Sequence, residues 1–395
     1  MAGIAALTLG YVLSQFYRSF LAVLTPALTF ELGATKAELS AASGAWFAAF
    51  ALMQFVVGVS LDRFGPRRTA SLLLAAGGAG GATLFALAQA PWMITAAMIM
   101  IGIGCAPVLM ASVFIFARTL PSARLAVLTS FLIGIGSAGN VIGASPLALA
   151  AEAFGWRTVM LGLGVITLAT AFAIFIFVRD PPRIASGDGD DGGFRGYLLL
   201  FRLGVLWPII PLVALNYAPA AGIRGLWAGP FLIDVHGADA IVIGQITLAM
   251  ALAMVAGNFV YGPLDTLFRT RKWVAVVGNT MSVVTLIVLA LWPRMGLGGV
   301  TVCLMAIGLA GASYGLLMAH ARAFLPEAMT GRGVTLMNFF SIGGVGCMQF
   351  ATGAVVTATT VPGDPSAAYV MLFGFYAAAL ALALLMYLFS RDAKP

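Results

Sequence analysis

At 395 residues, the chain is 61% hydrophobic and 9% charged, with a formal net charge of +7 and a mean hydropathy of +1.03. A soluble globular protein holds roughly 25% charged residues, so composition excludes a soluble enzyme or binding domain and places the chain in a membrane. The +7 charge calls for no nucleic-acid partner, because the basic residues sit in short loops between apolar runs.

A membrane-spanning helix needs about 20 mostly apolar residues. That rule finds twelve spans, at 6–30, 39–60, 70–89, 92–117, 125–151, 157–178, 207–233, 239–263, 273–292, 298–319, 333–357 and 367–390. The first run lacks a basic leader and is long enough to cross, so it reads as a retained helix, not a cleaved signal. The longest polar interruption, Arg179 to Tyr197, carries Pro-Pro, glycines and an acidic cluster. It reads as a linker, and the segment after it, up to residue 206, as an interfacial stretch. The expected organisation is therefore a bundle at 1–178, a linker at 179–206 and a second bundle at 207–395.

Charge sets the orientation. With the N-terminus inside, sixteen of the 21 Lys and Arg residues fall in inside segments, and only Lys36, Arg157 and Arg294 fall outside. The positive-inside rule then puts both termini in the cytoplasm.

The stretch GVSLDRFGPRR, Gly58 to Arg68, lies between spans 2 and 3 and has a diverged echo in YGPLDTLFRTRK, Tyr261 to Lys272. Asp62 and Asp265 are 203 residues apart, close to half the chain, and Gly33 and Gly237 keep step upstream. One half is a diverged copy of the other. Six plus six spans, a long central inside loop and this basic turn resemble the major facilitator superfamily of secondary transporters. The match is most specific at Gly58, Asp62, Arg63, Gly65, Arg67 and Arg68, and Phe154-Gly155-Trp156-Arg157 before span 6 is also similar to a family feature. The resemblance implies an all-α polytopic fold of twelve helices in two pseudo-symmetric six-helix bundles, working by alternating access.

It also implies gating by the signature turn. Gly58 would allow close helix contact and Gly65 a tight turn, while Asp62 would face the positive start of span 11. Asp265 is the second copy's counterpart. A plainer reading of Arg63, Arg67 and Arg68 is that they only fix topology.

Two basic residues remain inside the spans, Arg18 in span 1 and Arg224 in its repeat partner, span 7. Arg18 lies about 18 Å along its helix, too deep to reach the surface easily. An arginine near the midplane costs at least ~2.5–3.5 kcal/mol, so it should face a wet or protein interior. Tyr11, Ser14, Gln15 and Arg18 form one polar stripe, and Asn216, Tyr217 and Arg224, followed by Trp227, nearly repeat it. All fourteen carboxylates fall in loops or at span ends, leaving no midplane acid to neutralise these cations. Two such guanidinium groups suit a carboxylate or phosphate, an arrangement that resembles the organophosphate and organic-anion exchangers of the superfamily. The alternative is that each arginine bonds backbone or amide oxygens and only holds the bundle together.

Tyr17, Tyr217 and Trp227 would shape the cavity, and Asn140 and Asn338, on repeat-partner spans 5 and 11, are further candidate contacts alongside Gln15 and Asn216. The stretch Gly134 to Pro146 in span 5 is similar to the bend motif of drug antiporters but lacks their Gly-Pro pair. No intramembrane carboxylate is present for proton coupling, which favours exchange or uniport over proton symport. Glu31 and Asp234 read as solvated helix ends, and His320 as an interfacial residue.

No nucleotide, metal or nucleophile motif occurs, and Cys105, Cys303 and Cys347 read as buried small hydrophobes. The expectation is a cofactor-free, non-enzymatic, monomeric carrier of a small organic or phosphate-type anion in the inner (plasma) membrane, with lipid its other partner. The rival expectation is a proton-coupled exporter of amphipathic compounds in which the arginines are structural. A third class, a receptor on the same scaffold, would bind a partner protein and give no flux.

Overall fold

A computed structural model describes residues 2–119, 128, 131–181, 200–325 and 330–393. Among these the protein is almost wholly helical, with one isolated β-bridge between Val361 and Asp364. That follows from the solvent: a bilayer offers no hydrogen bonds, so a spanning backbone must bond to itself. Ten helices are long and apolar enough to cross, and an eleventh forms if Phe131–Ile142 and Ser145–Phe154, bent by 42°, are one span. The remaining expected crossing, span 1, is two shorter apolar helices, Ala2–Phe16 and Leu21–Leu32.

Helix ends follow local chemistry. Span 2 runs Lys36–Phe64, longer than expected, because Thr35 and Glu38 form a reciprocal capping box at its start. It stops at Gly65, whose φ of +85° suits glycine. Span 3 starts at Pro66 and widens into a π-helical stretch at Leu74–Ala79. There Gly77 and Gly78 meet Gly104 of span 4 backbone to backbone, so the glycine-rich string serves packing.

The chain divides into two compact units. The first holds Met1–Arg183 and Arg224–Leu248; the second holds Ile184–Ile223 and Ala249–Pro395. The division passes through span 7 at the residue before Arg224. The outer portion of that span, Ala228–His236, packs on Leu21–Leu32 within the first unit.

Each unit is fastened by a matching device that the sequence reading did not identify. In the first, Asp180, just after span 6, accepts the Arg67 backbone N–H at 2.8 Å, while Arg67 Nε donates to the Phe175 carbonyl at 2.6 Å. In the second, Asp392, just after span 12, accepts the Lys272 N–H at 3.0 Å and the Thr270 hydroxyl at 2.6 Å. Lys272 Nζ in turn donates to the Leu388 and Ser390 carbonyls at 2.6 and 2.8 Å. In both units an anion caps the start of the third span of its half, and a cation caps the end of the sixth. Both contacts have the sign that helix dipoles favour.

Candidate functional site

Both intramembrane arginines sit where their helix departs from regular geometry. Between Phe16 and Leu21 the α-helical pattern of span 1 gives way to tighter turns, with Arg18 N–H bonding the Gln15 carbonyl and Ser19 N–H the Phe16 carbonyl. Arg224 lies in a π-helical stretch, Ile223–Trp227. Short non-α segments inside a span are tolerated where protein or water satisfies the backbone, and they cluster at functional sites.

The two irregular segments touch. A Cβ on Gly225 would lie 2.8 Å from the Arg18 carbonyl oxygen, so only glycine permits this approach. One turn on, Gly229 meets the Ala22 backbone in the same way. Span 5 joins them, since a Cβ on Gly139 would lie 2.8 Å from the Phe16 nitrogen. Spans 1, 5 and 7 thus converge inside the first unit at the level of both arginines.

Arg224 is 2% exposed and donates Nη2 to Asn140 Oδ1 at 2.9 Å. Arg18 is half-buried. Its guanidinium carbon lies 4.8 Å from the ring centre of Phe50 and 5.5 Å from that of Trp46, both on span 2. Among the described residues no carboxylate pairs with Arg18; the ion pairs join Lys36 to Asp234, Arg157 to Glu31, Arg271 to Asp265, and Arg294 to Asp364. Buried atoms near it lack hydrogen-bond partners: Arg18 Nε, Gln15 Oε1 and Trp46 Nε1. A desolvated cation–π contact is worth ~2 kcal/mol, comparable to the ~2.5–3.5 kcal/mol cost of the buried arginine. The aromatic pair holds the cation in place and leaves its N–H edge for an acceptor.

Trp46 and Phe50 were missed by sequence reasoning. Their i, i+4 spacing was visible, but an aromatic stripe on an apolar helix looks the same whether it packs against lipid, core or a cation.

The other expected contacts scatter. Gln15 Nε2 donates to Tyr11 at 2.7 Å. Tyr17 is fully buried with its hydroxyl 2.9 Å from Thr167 on span 6, a packing contact. Trp227 is fully buried in the first unit. Asn216, in the second unit, donates to Asn279 at 2.7 Å and Ser313 at 2.9 Å, tying spans 7, 9 and 10 together. Tyr217 lies 6.0 Å from Tyr314, whose hydroxyl donates to Asn338 at 2.7 Å, also within the second unit.

In the signature turn, Gly65 makes the expected tight turn, and Asp180 occupies the space a side chain there would need. Gly58 corrects an expectation: a Cβ there would meet nothing within 4 Å, so no close helix contact requires it. Arg63 lies over Phe64 at 5.4 Å, Arg67 is bound as described, and Arg68 is exposed. Asp265 pairs with Arg271 at 3.2 Å. The Asp62 side chain and residues 326–329 before span 11 lie outside the described residues. Glu31 and Asp234, read as solvated ends, both form ion pairs in the first unit. His320, expected at the interface, is fully buried between Tyr387 Oη at 2.6 Å and the Arg391 carbonyl at 2.9 Å.

The family model of the Major Facilitator Superfamily matches residues 7–223 of the chain. The chain belongs to that superfamily. A curated relative, the probable sulfoacetate transporter SauU of Cupriavidus necator, is 22% identical over 270 residues, 64% of this chain. The chain spans about 61% of that relative's length. Among solved structures, a bacterial homologue of the human lysosomal transporter Spinster, inward-facing and occupied, superposes with a TM-score of 0.77 at 18% identity, covering 98% of this chain and 96% of the other. A D-xylose–proton symporter gives a TM-score of 0.79 at 14% identity, covering 98% and 97%. The likeness carries the fold alone, an all-α major facilitator fold, and the family match makes the chain a multi-pass membrane protein.

Proposed function

We propose that this major facilitator carries a small organic anion by alternating access, as exchanger or uniporter, and that Arg18 and Arg224 bind its acidic group. The carrying observation is the meeting of two arginine-bearing, irregular helix segments at Gly225, with Arg18 held by aromatic rings and, among the described residues, paired to no carboxylate. Asn140 would orient Arg224 through their hydrogen bond. A relative named as a sulfoacetate transporter supports small sulfonates and carboxylates as the first substrates to try. Bidentate recognition by guanidinium suits either group.

A second reading keeps the arginines structural and makes the protein an exporter of amphipathic compounds. The Arg224–Asn140 hydrogen bond is what that reading expects. One experiment separates the two: counterflow of labelled sulfonates and carboxylates in proteoliposomes, comparing wild type with Arg18→Gln and Arg224→Gln. Anion recognition predicts that each variant loses at least about tenfold in uptake, the scale of deleting one member of a buried charge contact. Equal uptake in all three, or no anion counterflow by wild type, refutes the proposal.

A further inference from the structure

The lipid-facing surface carries two grooves at corresponding positions of the two repeats, apart from the arginine site. The first, of about 280 Å³, lies between spans 2 and 3 and is lined by Val56, Ser60, Phe64, Thr69 and Leu72, with Arg68 beside them. The second, of about 420 Å³, lies between spans 8 and 9 and is lined by Val260, Leu264, Phe268, Trp273 and Val277. Val56, Phe64 and Leu72 are 52%, 50% and 63% exposed, and Phe268 and Trp273 are 62% and 55% exposed. In a membrane-spanning protein such carbon-lined surface faces acyl chains. Both grooves adjoin the basic turns that the positive-inside rule assigns to the cytoplasmic leaflet.

The grooves differ in their lining, which includes Arg68 in the first and no Lys or Arg among the described residues in the second. Lys272, which matches Arg67 in its contacts, spends its ammonium on the Leu388 and Ser390 carbonyls. Arg271 is held by Asp265. In the first groove Arg67 is likewise committed, to the Phe175 carbonyl. Arg68 is exposed, and its guanidinium makes no hydrogen bond or ion pair among the described residues. An uncommitted guanidinium beside an apolar slot matches one component of a bilayer, a lipid with a phosphate-bearing anionic headgroup.

We propose that the groove between spans 2 and 3 is a binding site for an anionic phospholipid, its acyl chain along Val56, Ser60 and Leu72 and its headgroup on Arg68. The groove between spans 8 and 9 accepts acyl chains without selecting the headgroup.

The test is native mass spectrometry of the full-length protein after equilibration with equal amounts of phosphatidylglycerol and phosphatidylethanolamine bearing the same chains. Wild type retains phosphatidylglycerol about fivefold over phosphatidylethanolamine, the ratio set by one interfacial arginine at about 1 kcal/mol. Arg68→Gln abolishes the preference and Arg68→Lys keeps most of it. Ser60→Phe fills the groove without touching the cation, and it removes one tightly held phosphatidylglycerol. Leu264→Phe, which fills the other groove, leaves the preference intact. No preference in wild type, a preference unchanged in Arg68→Gln or in Ser60→Phe, or one abolished by Leu264→Phe, overturns the assignment.

Discussion

At the scale of single residues, Arg18 combines half-burial, two aromatic neighbours and, among the described residues, no carboxylate partner. If its role is recognition, Arg18→Lys should bind anion more weakly than wild type but better than Arg18→Gln, since lysine keeps the charge and loses the fork. The KM for anion, measured in proteoliposomes, checks that order. Phe50→Leu should weaken transport through loss of about 0.5–2 kcal/mol of cation–π contact, with the thermal midpoint of the protein little changed. Gly65 gives the opposite pattern. Its φ is +85°, and Asp180 carboxylate atoms stand 2.6–2.7 Å from where a Cβ would go. Gly65→Ala should therefore lower stability, by about 1–3 kcal/mol for the backbone conformation alone, read as a fall in melting temperature in detergent.

At the scale of helices, the crossing of spans 1 and 7 depends on Gly225 and Gly229 pressing on the Arg18 and Ala22 backbones. A leucine at Gly229 cannot fit against Ala22 without moving one helix. Gly229→Leu should part the outer segments of spans 1 and 7, raising the labelling rate of a cysteine placed at Leu28, which is fully buried. An unchanged rate would mean that the crossing yields in some other way. Much of this was legible beforehand. The arginines announced themselves as charges in apolar runs. The irregular backbone was not legible: nothing in Gln15-Phe16-Tyr17-Arg18 or Ile223-Arg224-Gly225 states whether a helix tightens or widens, because tertiary contacts decide that. Trp46 and Phe50 were hidden for the same reason, being two more aromatics among 27 phenylalanines and seven tryptophans.

At the scale of the whole molecule, the duplication inferred from Asp62 and Asp265 reappears in parts that the sequence reading passed over. The dipeptides Arg179-Asp180 and Arg391-Asp392 recur after spans 6 and 12. Each aspartate caps the first turn of the third span of its own half. The repeat was visible in the letters, but short charged tails look solvated until their partners are known. Burial alone would raise the Asp392 carboxyl, but the Thr270 hydroxyl and the Lys272 N–H outweigh it and hold the group below its ordinary value of 3.8. A depressed value stabilises the fold above the unfolded pKa, and that contribution disappears as pH falls through the folded value. Asp392→Asn should thus lower the melting temperature at pH 7, by about 0.5–1 kcal/mol for exposed hydrogen bonds. It should also remove part of the wild-type loss of stability below pH ~4. A variant with the same acid limb as wild type would show that Asp392 carries none of it.

Because each fastening closes within one repeat, neither needs an unbroken polypeptide to form. If the gene were severed between the coding regions for spans 6 and 7 and both pieces were made in the same cell, each fragment would still own the acid and the base that knot its last crossing to its third. Recovery of uptake from such a pair would show that the ancestral duplication joined two modules already tied off at their ends.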